Sequence, residues 1–124
     1  MSIPVELADL RAKTAEYDWA YLLTVGGDLR PHIVAVTPVW EGDVLAMSVG
    51  RGTAANATSG PAISLCYPPV EPDGHSLIVD GTAEVNEQTV MFAPTGAVLH
   101  RPAPPGFTGS ATGCGNDCEP VSPA

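Results

Sequence analysis

The sequence predicts a mainly β fold, six antiparallel strands closed into a small barrel, with one N-terminal helix and one short helix after the third strand. Three observations carry that expectation. Six runs rich in β-branched and aromatic residues are separated by clusters of Gly, Pro, Asn and Asp. The connections between them are short, and two read as hairpins. With 13 Gly and 13 Pro in 124 residues, turns outweigh long helices.

Residues 4–16 place Leu7 and Leu10 on one helical face, and Pro4, Glu6 and Asp9 suit a helix N-terminus, so a short amphipathic helix is expected there. Trp19 to Val25 reads as a strand that ends at the turn Gly26-Gly27-Asp28. The run from His32 to Trp40 alternates Ile33, Ala35, Thr37 and Val39 with Val34, Val36, Pro38 and Trp40. Both faces are apolar, which predicts one strand covered on both sides, with Pro38 marking an edge, a bulge or a place where backbone meets a ligand. Glu41-Gly42-Asp43 is a tight turn into the strand at Val44–Val49.

Residues 53–59 suit two turns of helix, with Gly52 or Thr53 as N-cap and Gly60-Pro61 as the stop. Ala62–Tyr67 is the next strand, and a Pro-rich loop follows. Ser76–Val85 continues as a strand with a bulge expected at Gly81, and 87–100 as a last, irregular strand interrupted by Pro94 and Gly96. Residues 1–103 are expected to form one domain. Residues 104–124, poor in apolar side chains, are expected to form a tail, disordered or laid over a surface.

Charge narrows the function. Five Lys and Arg against fourteen Asp and Glu give a formal net charge of −9, so no basic face exists to displace counterions from nucleic acid or an anionic membrane. An anionic ligand has to be held locally, by one arginine and backbone amides. Three cysteines do not make a disulfide framework, and Cys114 and Cys118 lack the spacing and the second ligand pair of a zinc site. A flexible tail with free thiols is the simpler reading. With no secretory segment and no long apolar run in the sequence, a cytoplasmic protein is expected.

The stretch Pro31–Pro61 is the expected chemical centre, because it joins two strand-like runs to a helix through Gly50-Arg51-Gly52-Thr53. Glycines let the backbone approach a phosphate, a helix N-terminus offers unpaired amides, and Arg51 can grip two oxygens at once. An ordinary turn with a solvated arginine is the alternative.

The order of parts, WAYLLTVGGDLRPHIVAV, TPVWEGDVLAMSVGRGTAANATSGPAISL, DGTAEV and VLHRPA, resembles the pyridoxamine 5′-phosphate oxidase-related family over roughly residues 5–103. The resemblance implies a six-stranded split barrel of the FMN-binding type, a homodimer, and FMN at the dimer interface. Relatives that use a deazaflavin coenzyme, bind haem, or carry no cofactor keep those alternatives open. It implies that Thr37, Pro38 and Val39 flank the flavin ring, and that Ser48, Arg51, Gly52, Thr53 and Asn56 surround its phosphate. It also implies that His100 and Arg101 approach a small-molecule substrate from the partner subunit. Pro31, Val36 and Gly52-Thr53 replace basic residues of the vitamin oxidases, so pyridoxamine phosphate oxidation itself is not expected. The two readings are a flavin-dependent oxidoreductase and a cofactor-free dimeric binding module.

Overall fold

The computed structural model of the protein describes residues 2–103 and 116–117. The chain forms β1 (Ser2–Pro4), a 3-10 turn (Leu7–Asp9), α1 (Leu10–Thr14), β2 (Ala20–Val25), β3 (Pro31–Val36), β4 (Val39–Glu41) and β5 (Val44–Ser48). It continues through α2 (Arg51–Ser59), β6 (Ala62–Tyr67), β7 (Ser76–Asn86), β8 (Thr89–Pro102) and a two-residue β9 (Asn116–Asp117). The ladder runs β3-β2-β6-β7-β8-β5-β4, all antiparallel, with β1 and β9 also on β8.

The two ends of that path, β3 and β4, do not pair with each other among the described residues. Only Thr37 and Pro38 separate them in sequence, which holds Val36 and Val39 within about 11 Å. The sheet must therefore curl until its edges meet. The result is a barrel joined by chain at one corner and open along one seam. Pro38, with no N–H to offer a ladder, sits where the ladder breaks.

Three expectations are corrected here. Among the described residues the barrel is not closed by hydrogen bonds, and eight strands plus β9 stand where six were expected. The run read as one strand over 32–40 is two, because the corner at Thr37-Pro38 sends its halves to opposite ends of the sheet. The helix expected over 4–16 shrinks to a 3-10 turn and a five-residue α1. Its first residue, Pro4, is drawn instead into β1, where it pairs with Val98. A short amphipathic segment is marginal alone, and cross-strand pairing overrides it. The tail expected over 104–124, with Cys114 and Cys118, lies outside the described residues except for Asn116 and Asp117.

Alternation fills the barrel. Leu22 and Thr24 of β2, Leu45 and Met47 of β5, Ile63, Leu65 and Tyr67 of β6, and Leu77 and Val79 of β7 all point inward and are buried. β8 adds Val90 and Phe92, and α2 plugs one side with Ala54 and Ala57. β3 is the exception: from Pro31 to Ala35 every residue is exposed, so the strand is covered on neither face. Ile33 is 58% exposed. That corrects the expectation of a strand covered on both sides within one chain.

β8 carries the assembly. Its first residues, Thr89–Phe92, pair with β5 on one side, and Val98–His100 pair with β1 on the same path, while β7 lines the other edge throughout. Pro94 falls between those two partners, where a strand tolerates proline. Opposite, the register shifts between Asp80 and Gly81, leaving Thr95 as the extra residue of a bulge, with its hydroxyl donating to Asp80 O at 3.2 Å. The bulge expected at Gly81 is thus present, with its extra residue on the facing strand.

Gly81 makes room for Phe92, the largest fully buried side chain. A Cβ at Gly81 would overlap Ala93 O and reach 2.7 Å from Phe92 Cζ. Gly81→Ala is expected to cost about 2 kcal/mol or more, since backbone and a packed ring must both shift. Urea melts of the variant and wild type check this; an unchanged midpoint would contradict the packing account.

At the far end of the sheet, burial pushes His75 below its ordinary value of 6.5, and the charges of Arg101, His100 and Lys13 add to the effect. The folded ring stays neutral where the unfolded one protonates. Stability present near pH 7.5 is therefore expected to fall as pH drops below about 6.5. His75→Gln should flatten that part of the pH profile in thermal melts.

Candidate functional site

Strand alternation sorts the residues around the corner onto two sides. Thr37, Val39 and Glu41 face one cleft, while Pro38 and Trp40 face away from it. β4 pairs with β5 through Val39 opposite Ala46, and β5 pairs with β8 through Ser48 opposite Thr89. The shared face of those three strands, with Ala35 and Val36 of β3, lines an open cleft of about 500 Å³. That size lies within the range of small-molecule sites.

Of the residues singled out in the sequence, Thr37, Val39 and Ser48 meet in this cleft. Pro38 does not line this cleft; it lines the opposite cavity. β5 ends at Ser48, and α2 begins three residues later at Arg51, with Gly50 as an extended N-cap that provides no side-chain bond. The first intrahelical bond is donated by Ala54 to Gly50 O at 3.0 Å. The amides of Arg51, Gly52 and Thr53 therefore remain at the helix N-terminus for another acceptor. Arg51 is exposed and makes no hydrogen bond or ion pair among the described residues.

Asn56 sits one turn further on and turns away: its Nδ2 donates to Thr24 Oγ1 at 3.3 Å, against the β2–β3 hairpin. His100 and Arg101 lie eleven and twelve residues along β8 from Thr89, roughly 35 Å of strand path from the cleft. There the Ser2 hydroxyl lies 3.1 Å from His100 Nδ1, and Arg101 Nη1 donates to Asp73 O at 3.4 Å. One chain alone does not bring this pair to the cleft.

Sequence reasoning missed Glu41, Ala46, Met47 and Thr89 as cleft residues. Glu41 and Ala46 follow from alternation once Val39 is placed. Thr89 depends on the β5–β8 pairing, for which the sequence carries no local signal. Trp40 ties the strand to α1: its indole N–H donates to Thr14 Oγ1 at 2.9 Å, and the Arg11 guanidinium lies 4.8 Å from its ring centroid. Arg11 also donates to Gly42 O, so α1 is fastened to the β4–β5 hairpin. Among the described residues no three His, Cys, Asp or Glu side chains cluster to hold a metal ion, and no helix is long and apolar enough to cross a membrane.

No family model matches the chain. Two mycobacterial proteins do: Uncharacterized protein Mb0449c of Mycobacterium bovis and Uncharacterized protein MT0457 of Mycobacterium tuberculosis. Each is 35% identical over 131 residues, covering 92% of both chains. Among solved structures, an F420 reductase superposes with a TM-score of 0.54 at 19% identity, over 68% of this chain and 94% of that one. A Listeria innocua protein provisionally named a pyridoxamine 5′-phosphate oxidase gives 0.60 at 15% identity, over 75% and 96%. An FAD-binding protein of Mesorhizobium loti gives 0.56 at 12% identity, over 80% and 90%. The chain belongs to the same family as the two mycobacterial proteins, and its fold is the split barrel of the pyridoxamine 5′-phosphate oxidase-like proteins.

Proposed function

We propose that the protein is a homodimeric oxidoreductase that binds FMN, or a deazaflavin coenzyme in its place, in the Thr37–Ser48 cleft and acts on a small molecule. The observation that carries this reading is the convergence of Thr37, Val39 and Ser48 on one cleft, three residues before a helix whose first amides and Arg51 lack partners among the described residues. These groups fit a phosphorylated planar cofactor. The helix amides and Arg51 suit a phosphate. The Thr37 and Ser48 hydroxyls suit the polar rim of a ring, and Val39 and Ala46 suit its face. Such a cofactor supplies the electron-transfer chemistry; the chain orients it and excludes water from one side. The names of the F420 reductase and the FAD-binding protein support this choice of cofactor class.

The homodimer rests on β3. An edge strand with Ile33 and Val34 exposed, beside the exposed Val39 of the other edge strand β4, is a surface that proteins ordinarily cover. A partner laid over it would also wall the open side of the cleft. The partner would then be the source of a His100 and an Arg101 close enough to meet an anionic substrate.

A second reading draws on Glu41. Its carboxylate lines the cleft, and the chain carries a net charge of −9, both of which oppose an anionic cofactor. Under that reading the dimer is a binding module without a redox group.

Titration with FMN and with riboflavin separates the two. FMN is expected to bind with a shifted visible spectrum, and Arg51→Ala to weaken FMN about tenfold or more while leaving riboflavin, which lacks the phosphate, nearly unchanged. A protein that binds neither flavin nor deazaflavin would leave only the second reading. In light scattering the wild type is expected at twice the 12.7 kDa chain mass, and Ile33→Lys at the mass of one chain. A monomeric wild type would overturn the dimer.

A further inference from the structure

Away from the cleft, three side chains converge on the bare side of a glycine. A Cβ at Gly26 would lie 3.0 Å from Asp28 Oδ1, 3.2 Å from Asn56 Oδ1 and 3.2 Å from His32 Nε2. Asp28 comes from the turn after β2, His32 from the start of β3 and Asn56 from the middle of α2. None of the three lines the Thr37–Ser48 cleft.

Two of these atoms are aimed by bonds their side chains make elsewhere. Asn56 Nδ2 is spent on Thr24 Oγ1 at 3.3 Å, which turns the amide oxygen toward Gly26. Asp28 Oδ1 accepts from the Arg30 N–H at 3.0 Å, which fixes the carboxylate over the turn and leaves it lone pairs for a second partner. His32 Nε2 stands 3.7 Å from Asp28 Oδ1, too far for a direct hydrogen bond. That separation is close to the spacing of about 3.4 Å between ligands of a tetrahedral ion with bonds of about 2.1 Å. Both side chains are half-exposed, so an ion reaches them from solvent. One imidazole nitrogen with two oxygens suits zinc and its first-row neighbours better than calcium or magnesium, which take oxygen ligands throughout. The net charge of −9 favours a cation, and the opposing Arg30 is exposed, where solvent screens it.

We propose that Asp28, His32 and Asn56 form a site for one divalent transition ion of the zinc class, with water completing its coordination. Closing from the observed distances to bonds takes side-chain movement of about 1 Å, into space that the missing side chain of Gly26 leaves open. The ion ties the β2–β3 hairpin, whose second strand is the exposed edge, to α2. The site does not depend on the cofactor reading, because it shares no residue with the cleft.

The test is a zinc titration of the full chain carrying Cys114→Ser and Cys118→Ser, so that no tail thiol takes the ion, read through the imidazole nitrogen resonances. The chain has three histidines, and His32→Gln assigns the signal. Zinc is expected to shift His32 Nε2 saturably, with one ion per chain, and to raise the melting temperature. Asp28→Asn, at an exposed position, should weaken binding about tenfold or more. Gly26→Ala removes no ligand, and the Gly26 backbone is not left-handed, yet its methyl fills the space and should weaken binding as much. Asn56→Asp adds a charged oxygen and should tighten binding about tenfold. The proposal is overturned if millimolar zinc gives no saturable shift of His32, or if Asn56→Asp does not tighten it. It is equally overturned if the shift survives Asp28→Asn or Gly26→Ala unchanged, which would mark a lone surface histidine.

Discussion

Two residues, Thr37 and Pro38, impose the geometry on which the rest of this protein depends. They join the first and last strands of an open ladder, so the sheet has no choice but to curl, and it curls without closing. The seam left open is where backbone polar groups lack ladder partners and where side chains of β3 and β4 remain uncovered. Functional character in this molecule follows from that incompleteness. A barrel zipped shut along the same seam would have neither the exposed β3 nor the cleft beneath it.

The corner also explains why one short stretch serves two cavities. Strand periodicity sends successive residues to opposite sides, so Thr37 and Val39 belong to the cleft and Pro38 and Trp40 to the opposite cavity. Trp40 holds this arrangement in place through Thr14 and Arg11, tying a five-residue helix that would not be stable alone to the barrel wall. The α1 segment is thus less an amphipathic helix resting on a core than a bracket fixed by one indole.

Local signals made much of this legible. The hairpins at Gly26-Gly27-Asp28 and Gly42-Asp43, the helix after Gly50 and the bulge at Gly81 all follow from turn chemistry and alternation that act over a few residues. The sequence was least informative where pairing is distant. β1 is not foreseen because its partner, 98 residues from Ser2 at His100, leaves no mark on Ser2–Pro4. The run over 32–40 reads as one continuous strand because its alternation passes unbroken through a corner that only the curled sheet reveals. In the candidate site, Thr37, Val39 and Ser48 were legible from their order along the chain; the distance of His100 and Arg101 from them was not, since it depends on the direction of β8.

β8 has a further consequence, in time rather than in space. It receives β5, β7 and β1, yet it follows all three in sequence, so β1 has no strand to pair with until the strands between them have been made. Contacts that span so much sequence are entropically costly to close and slow to form. β1 therefore cannot take its native place before β8 exists. During biosynthesis the exposed apolar edge of β3 exists long before β8 does. The interval between them is when a nascent chain of this design most needs protection from its neighbours.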